Sequence, residues 1–270
     1  MEIITILSIL SLLGVALVFS PLGLGGGVLY VPIFYYMLDW EIKEAVIGSL
    51  TLVLMVSIGS SLAHSKAGCA DNNAANLGRV TAIPAAIIGT VISGYLIDTL
   101  GDIIIKILAT LILIFVIERT TNQMRFNDKE HTQEIQLSEK KREYMFGSAF
   151  AGISSGMLGI GGGAILVTAN RSILQMDTNK AAGTSFLVAA TIVPVALLSH
   201  ILLDGVTKNI IDNIGIFPII IFPLMVLLSA FIGAKYAINN LSKSTITIVF
   251  LCAISLSLIR YMIDFITLLK

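Results

Sequence analysis

Charge is scarce in this chain: Asp, Glu, Lys and Arg together make up 13% of its 270 residues, while 56% are hydrophobic and mean hydropathy is +0.93. That balance excludes an ordinary soluble domain and points to lipid. Charge of either sign is not in excess, with 17 basic against 17 acidic residues, so there is no electrostatic footprint for nucleic acid. Cysteine is nearly absent. Cys69 and Cys252 lie far apart without CxxC spacing, which gives neither a disulfide framework nor a zinc site. No GxxxxGK[ST] string occurs, so nucleotide binding is not expected of this chain, and no cofactor is. Also missing are a basic n-region after Met1 and a small-x-small cleavage site near Ser20, so the first apolar stretch reads as a retained membrane segment.

What is present is a series of apolar runs bounded by charge, glycine or proline: 3–20, 28–38, 45–63, 80–97, 103–117, 144–158, 164–176, 181–203, 214–238 and 245–269. A bilayer core of about 30 Å takes roughly 20 apolar residues per helix. The runs 28–38 and 164–176 are too short to cross alone, and each follows an apolar helix and a glycine cluster. The one long hydrophilic stretch, 118–143, carries Arg119, Arg125, Lys129, Lys140, Lys141 and Arg142. It reads as a solvated linker (119–143) between a first membrane unit (1–118) and a second (144–270).

Superimposing the glycine clusters fixes an offset of 136 that runs without a gap from Gly23/Gly159 to His64/His200. Ten of the 42 paired positions are identical, including a glycine quartet and the only two histidines in apolar runs. The chain therefore reads as two homologous halves, all-α and polytopic. If each glycine-interrupted unit enters and leaves on one side, the halves are inverted, and 12 Lys and Arg fall on the side of the linker against 5 opposite. If each unit crosses, the halves are parallel and the tally is 11 to 6. Both arrangements put the linker in the cytoplasm and the two termini on one common side, and the charge bias leans to the inverted one.

A helix broken within the membrane exposes the N–H groups that begin its second half, with the positive end of the helix dipole behind them. Glycines suit such a break, since they accept positive φ and let a ligand reach the backbone. Gly25, Gly26 and Gly27 with Gly161, Gly162 and Gly163 are thus candidate anion donors. Ser49 and Ser185 recur at the same offset, with Thr184 beside the latter, and their hydroxyls can donate to an oxyanion. His64 and His200 close the equivalent helices and are candidates for gating or for carrying a coupling proton. Arg79, Lys106, Glu118, Lys235, Arg260 and Asp264 fall toward the ends of runs and are expected to snorkel to the interface. Few carboxylates remain inside the spans, which argues against a metal or Na⁺ site of acidic side chains.

Gly23-Leu-Gly-Gly-Gly-Val-Leu-Tyr-Val-Pro32 and Gly159-Ile-Gly-Gly-Gly-Ala-Ile-Leu-Val167, with Lys180-Ala-Ala-Gly-Thr-Ser185 after the second, resemble the duplicated signature of the TauE/SafE (TSUP) sulfite exporter family. The resemblance covers nearly the whole chain. It implies a multi-pass permease of the cell membrane for sulfite, thiosulfate, sulfonates or a related small sulfur-containing anion. Thr168 departs from the pattern, standing where the first half has Pro32. An anion channel shares all these features. An intramembrane serine hydrolase is the remaining alternative, because Gly152-Ile-Ser-Ser-Gly156 fits GxSxG and His200 follows it. Direction of transport, the coupling ion and assembly as a homo-oligomer leave no mark in the sequence.

Overall fold

The computed structural model describes residues 2–126, 134–240 and 242–268. Every regular element among them is helical: α1 (Glu2–Phe19), α2 (Gly27–Met37), α3 (Ile42–Lys66), α4 (Asn72–Leu100), α5 (Ile103–Phe126), α6 (Lys141–Leu158), α7 (Gly163–Ser172), α8 (Thr178–Leu203), α9 (Thr207–Ile214), α10 (Ile216–Asn240) and α11 (Lys243–Leu268). The helices α3, α4, α8 and α10 have 25–29 residues and are apolar enough to cross a membrane. At 1.5 Å per residue they are about 37–44 Å long.

The distribution of polarity suits a lipid solvent. Leu202, Phe217, Phe146 and Tyr95 are all at least 70% exposed, whereas Ser49, Ser57, Ser60, His64, Ser155 and His200 are buried. Without a hydrophobic force between helices, association relies on close backbone approach at small residues. Gly152 and Gly156 of α6 abut the Ala82 and Ala86 carbonyls of α4, Gly233 of α10 abuts Leu17 of α1, and Gly59 of α3 abuts Leu227 of α10. A Cβ at any of these four would overlap the facing backbone.

These contacts set the helix directions. Position 82 of α4 meets 152 of α6, and 86 meets 156, so the two run parallel. So do α1 and α10, where Ser229 Oγ donates to the Leu13 carbonyl at 3.0 Å and Gly233 meets Leu17. By contrast, α3 and α8 are antiparallel. Ser49, early in α3, donates to Gly159, close in sequence to the Gly156 carbonyl that meets His200 at the end of α8. His64, late in α3, packs on Gly183 near the start of α8. The packing pairs α4·α6 and α10·α1, α4·α8 and α10·α3, α2·α3 and α7·α8 are interchanged when the helices of one half are exchanged for those of the other. Each broken unit is a hairpin: α7 turns back along α6 so that Ala169 lies against Gly147. The start of α1 lies at the end of the bundle opposite the α5–α6 connection, as does the end of α11.

Four features differ from the sequence reading. The predicted linker begins late, because α5 continues through Glu118 and Arg119 to Phe126. The helix propensity of its polar residues extends it beyond the apolar run. Lys129, in the remainder of that linker, and Lys270 lie outside the described residues. At the start of α4, Asp71 accepts N–H bonds from Asn73 and Ala74 and begins the helix eight residues before Val80. The short exposed α9 was not anticipated. Finally, Lys106 does not snorkel: it is 7% exposed and pairs with Asp264 of α11 at 2.6 Å, over the ring of Tyr35. The part of the connection described before α6 docks back on the bundle, with Ile135 N–H donating to the Leu174 carbonyl and Glu134 bridging to Lys180.

Candidate functional site

Two loops, 20–26 and 159–162, break the hairpins. Helix α1 stops at Ser20-Pro21, where proline removes a backbone donor, and α6 stops at Gly159. The glycines then adopt left-handed φ in matching order: 80°, 75° and 81° at Gly23, Gly25 and Gly26, against 69°, 76° and 67° at Gly159, Gly161 and Gly162. Alternation of left-handed and other backbone turns successive N–H groups toward one concavity, an anion-binding nest. Helices α2 and α7 start immediately afterwards. Among the described residues, the N–H groups of residues 25–28 and 161–164 donate to no protein acceptor, while Tyr30 and Leu166 already bond to the Gly26 and Gly162 carbonyls. These are the free donors of two helix N-termini, and all eight residues bearing them are buried.

The two nests meet. A Cβ on Gly27 would lie 2.6 Å from the Ile160 Cα, and one on Gly163 would lie 2.6 Å from the Gly23 carbonyl oxygen. Val53, midway along α3, packs against both Gly25 and Gly161. The serines tie the arrangement from opposite halves: Ser49 Oγ donates to the Gly159 carbonyl and Ser185 Oγ to the Gly23 carbonyl, both at 2.7 Å. Each half therefore clamps the other half's loop. The hydroxyl protons are engaged in these clamps and each oxygen retains an accepting lone pair. Thr184 stands apart, its hydroxyl accepting from the Asp71 amide at 2.9 Å at the head of α4.

Apart from the Ser185 hydroxyl against Gly23, the side chains facing the glycines are Val15, Tyr30, Val46, Val53, Ala151, Val167 and Val193, and no cluster of three metal-ligating groups occurs among the described residues. In such an apolar setting an unpaired donor is worth far more than in water. The enclosed space beside Gly27, Val28 and Ile160 is about 10 Å³, about enough for one water.

His64 is fully buried on α3, its Nδ1 2.9 Å from the Ser60 carbonyl and its ring against Phe186. Its Nε2, beside the Pro21 carbonyl, makes no hydrogen bond of standard geometry. His200 is engaged at both nitrogens, with Gly156 O at 2.6 Å and Asp204 Oδ2 at 2.7 Å. Neither reaches Ser154, whose buried hydroxyl has no partner. The Gly-Ile-Ser-Ser-Gly string is a helix-packing surface against α4, which explains its glycines without a nucleophile. Sequence reasoning missed Tyr30, Val53 and Asp204. Tyr30 lies inside the first glycine motif, its hydroxyl fully buried and unpartnered. Asp204 was legible from its i+4 spacing after His200, whereas nothing marks Val53 among the valines.

Four helices long and apolar enough to cross a membrane, around two hairpins with facing broken ends, fit a multi-pass membrane transporter. Residues 8–261 match the profile of the Sulfite exporter TauE/SafE family, and the chain belongs to that family. A probable membrane transporter protein of Methanocaldococcus jannaschii is 28% identical over 250 residues, covering 87% of each chain. No solved structure matches the chain.

Proposed function

We propose that the protein is a secondary transporter for a small sulfur-containing oxyanion (sulfite, thiosulfate or a sulfonate), held between the nests of Gly25-Gly26-Gly27 and Gly161-Gly162-Gly163. The observation that carries this reading is the pair of facing helix N-termini whose amides find no acceptor in the protein. Buried donors without partners are costly, and an anion with several oxygens satisfies both sets at once. On this reading Ser49 and Ser185 hold the loops in shape, and the two halves, 1–118 and 144–270, are inverted repeats that rock about the site. Antiparallel α3 and α8, and the interchangeable packing pairs, support the inversion. The inverted arrangement places the α5–α6 connection in the cytoplasm, with the 12-to-5 excess of basic residues.

A polar face of α3 supports a route from the nests toward that side. Ser57, Ser60 and His64 follow Val53 at spacings of four, three and four, all fully buried, and the hydroxyls of Ser57 and Ser60 make no hydrogen bond to protein among the described residues. The corresponding face of α8 is apolar (Val193, Ala196) until His200. The test is reconstitution in liposomes with a panel of sulfite, thiosulfate and sulfonates. Saturable flux that supports uphill counterflow is expected. Non-saturable flux makes the protein a channel, and no flux of any panel member by folded protein refutes the substrate class.

A further inference from the structure

His200 is 1% exposed and the Asp204 side chain 3%. Its two contacts impose a proton count. The Gly156 carbonyl can only accept, so Nε2 carries a hydrogen across the 2.6 Å contact. Nδ1 and Asp204 Oδ2 are 2.7 Å apart, a separation that two bare lone pairs do not hold, so a second proton lies between them. Whether it resides on nitrogen or oxygen, the pair is neutral overall. Removing it leaves one hydrogen for two acceptors. The ring can then face Gly156 or Asp204 with an N–H, but the other contact becomes lone pair against lone pair beside a buried, uncompensated carboxylate.

We propose that His200 and Asp204 form a single proton-binding site that couples protons to transport. Protonated, the pair pins the end of α8 to α6 three residues before Gly159, where the second nest begins. Deprotonated, it releases that end, and the proton leaves to water. The first half has no second copy: Gly68 stands where Asp204 would be, and His64 meets a carbonyl instead. Among the described residues, no other titrating group is in hydrogen-bond contact with the pair. From α6 the pair meets Gly156; from α4 it meets Gly94, whose Cβ would lie 3.9 Å from Asp204 Oδ1, and Thr90, whose hydroxyl reaches the same Gly156 carbonyl at 3.5 Å. The charged side chains nearest in sequence on adjoining elements are exposed: Asp98 on α4, paired with Lys43 of α3 at 2.7 Å, and Lys208 on α9.

Coupling rests on the transporter reading, but proton binding itself does not, and two readouts separate them. In purified protein labelled with ¹⁵N-histidine, the ring signals that His200→Gln removes should respond to pH. Asp204→Asn should alter that change and Asp98→Asn should leave it intact. In liposomes, the slope of flux against pH should flatten in Asp204→Asn and His200→Gln and persist in His64→Gln. Ring signals of His200 that do not respond to pH overturn the site. A flux profile in Asp204→Asn that superimposes on the native one overturns the coupling. If the native protein moves no panel solute, the transporter reading fails while the ring signals still decide proton binding.

Discussion

Replacing Ser49 by alanine removes the one side-chain donor to the Gly159 carbonyl among the described residues, 2.7 Å away and closed off from water. Interhelical hydrogen bonds in membrane proteins average about 0.6 kcal/mol and reach about 1.7, while a buried acceptor left unsatisfied costs about 1–3 kcal/mol. A loss of about 1–2 kcal/mol is expected. Ser185→Ala should cost a similar amount through Gly23, because its second contact, to the Ala182 carbonyl at 2.9 Å, lies within its own helix. At roughly 2–4 °C per kcal/mol for a protein of this size, each variant should melt about 2–8 °C lower in detergent. The two bonds share no atoms, but the loops touch at Gly27 and Ile160, so the double variant should depart from additivity by more than the usual 0.3–0.5 kcal/mol or so. Binding should change little, because the hydroxyl protons face the protein. Were the serines direct donors to a charged substrate, each loss would weaken binding by about 1.5–3 kcal/mol, a KM about 10- to 150-fold higher. Unchanged melting with a KM raised on that scale, in both variants, would refute the clamp.

Three further outcomes follow from the same geometry. Gly26→Val and Gly162→Val should abolish transport in protein that still inserts, since both positions have left-handed φ and a Cβ at Gly26 meets Val15 at 2.8 Å; normal flux in both would reduce these glycines to packing residues. Lys106→Met should destabilise by about 2–3 kcal/mol, somewhat less than a fully buried pair loses, and Asp264→Leu added to it should recover part of that, as read by denaturant unfolding. Asp102, between α4 and α5, has its carboxyl held above the usual range by burial, with Lys106 opposing. A raised acid contributes stability that is complete at low pH and is lost as pH rises through its folded value. Asp102→Asn should therefore melt higher than the native protein at neutral pH, with the gap closing in acid.

How much of this could be read from the residues depends on the kind of signal. The two helix breaks were visible because glycine clusters and short apolar runs recur at one offset, whereas the sequence left open whether each unit turns back or crosses. Buried serines and histidines were visible as repeats too. Their partners were not: Ser49 meets Gly159 and Ser185 meets Gly23 across more than a hundred residues, and nothing local encodes that. The end of α5 was misplaced because hydropathy tracks lipid contact while the helix continues into polar sequence. Lys106 was misread for the complementary reason, since a charge near a helix end looks interfacial until the helix bearing Asp264 is placed opposite.

The reciprocal serine bonds also bear on how the chain comes to exist. Neither hairpin finishes its own loop, so the first half emerges during synthesis with a turn that lacks its clamp until α8 arrives. Folding is then a late, joint event in which each half acts as the other's template. Cut in the α5–α6 connection and produced as two pieces, the protein should assemble from both or from neither.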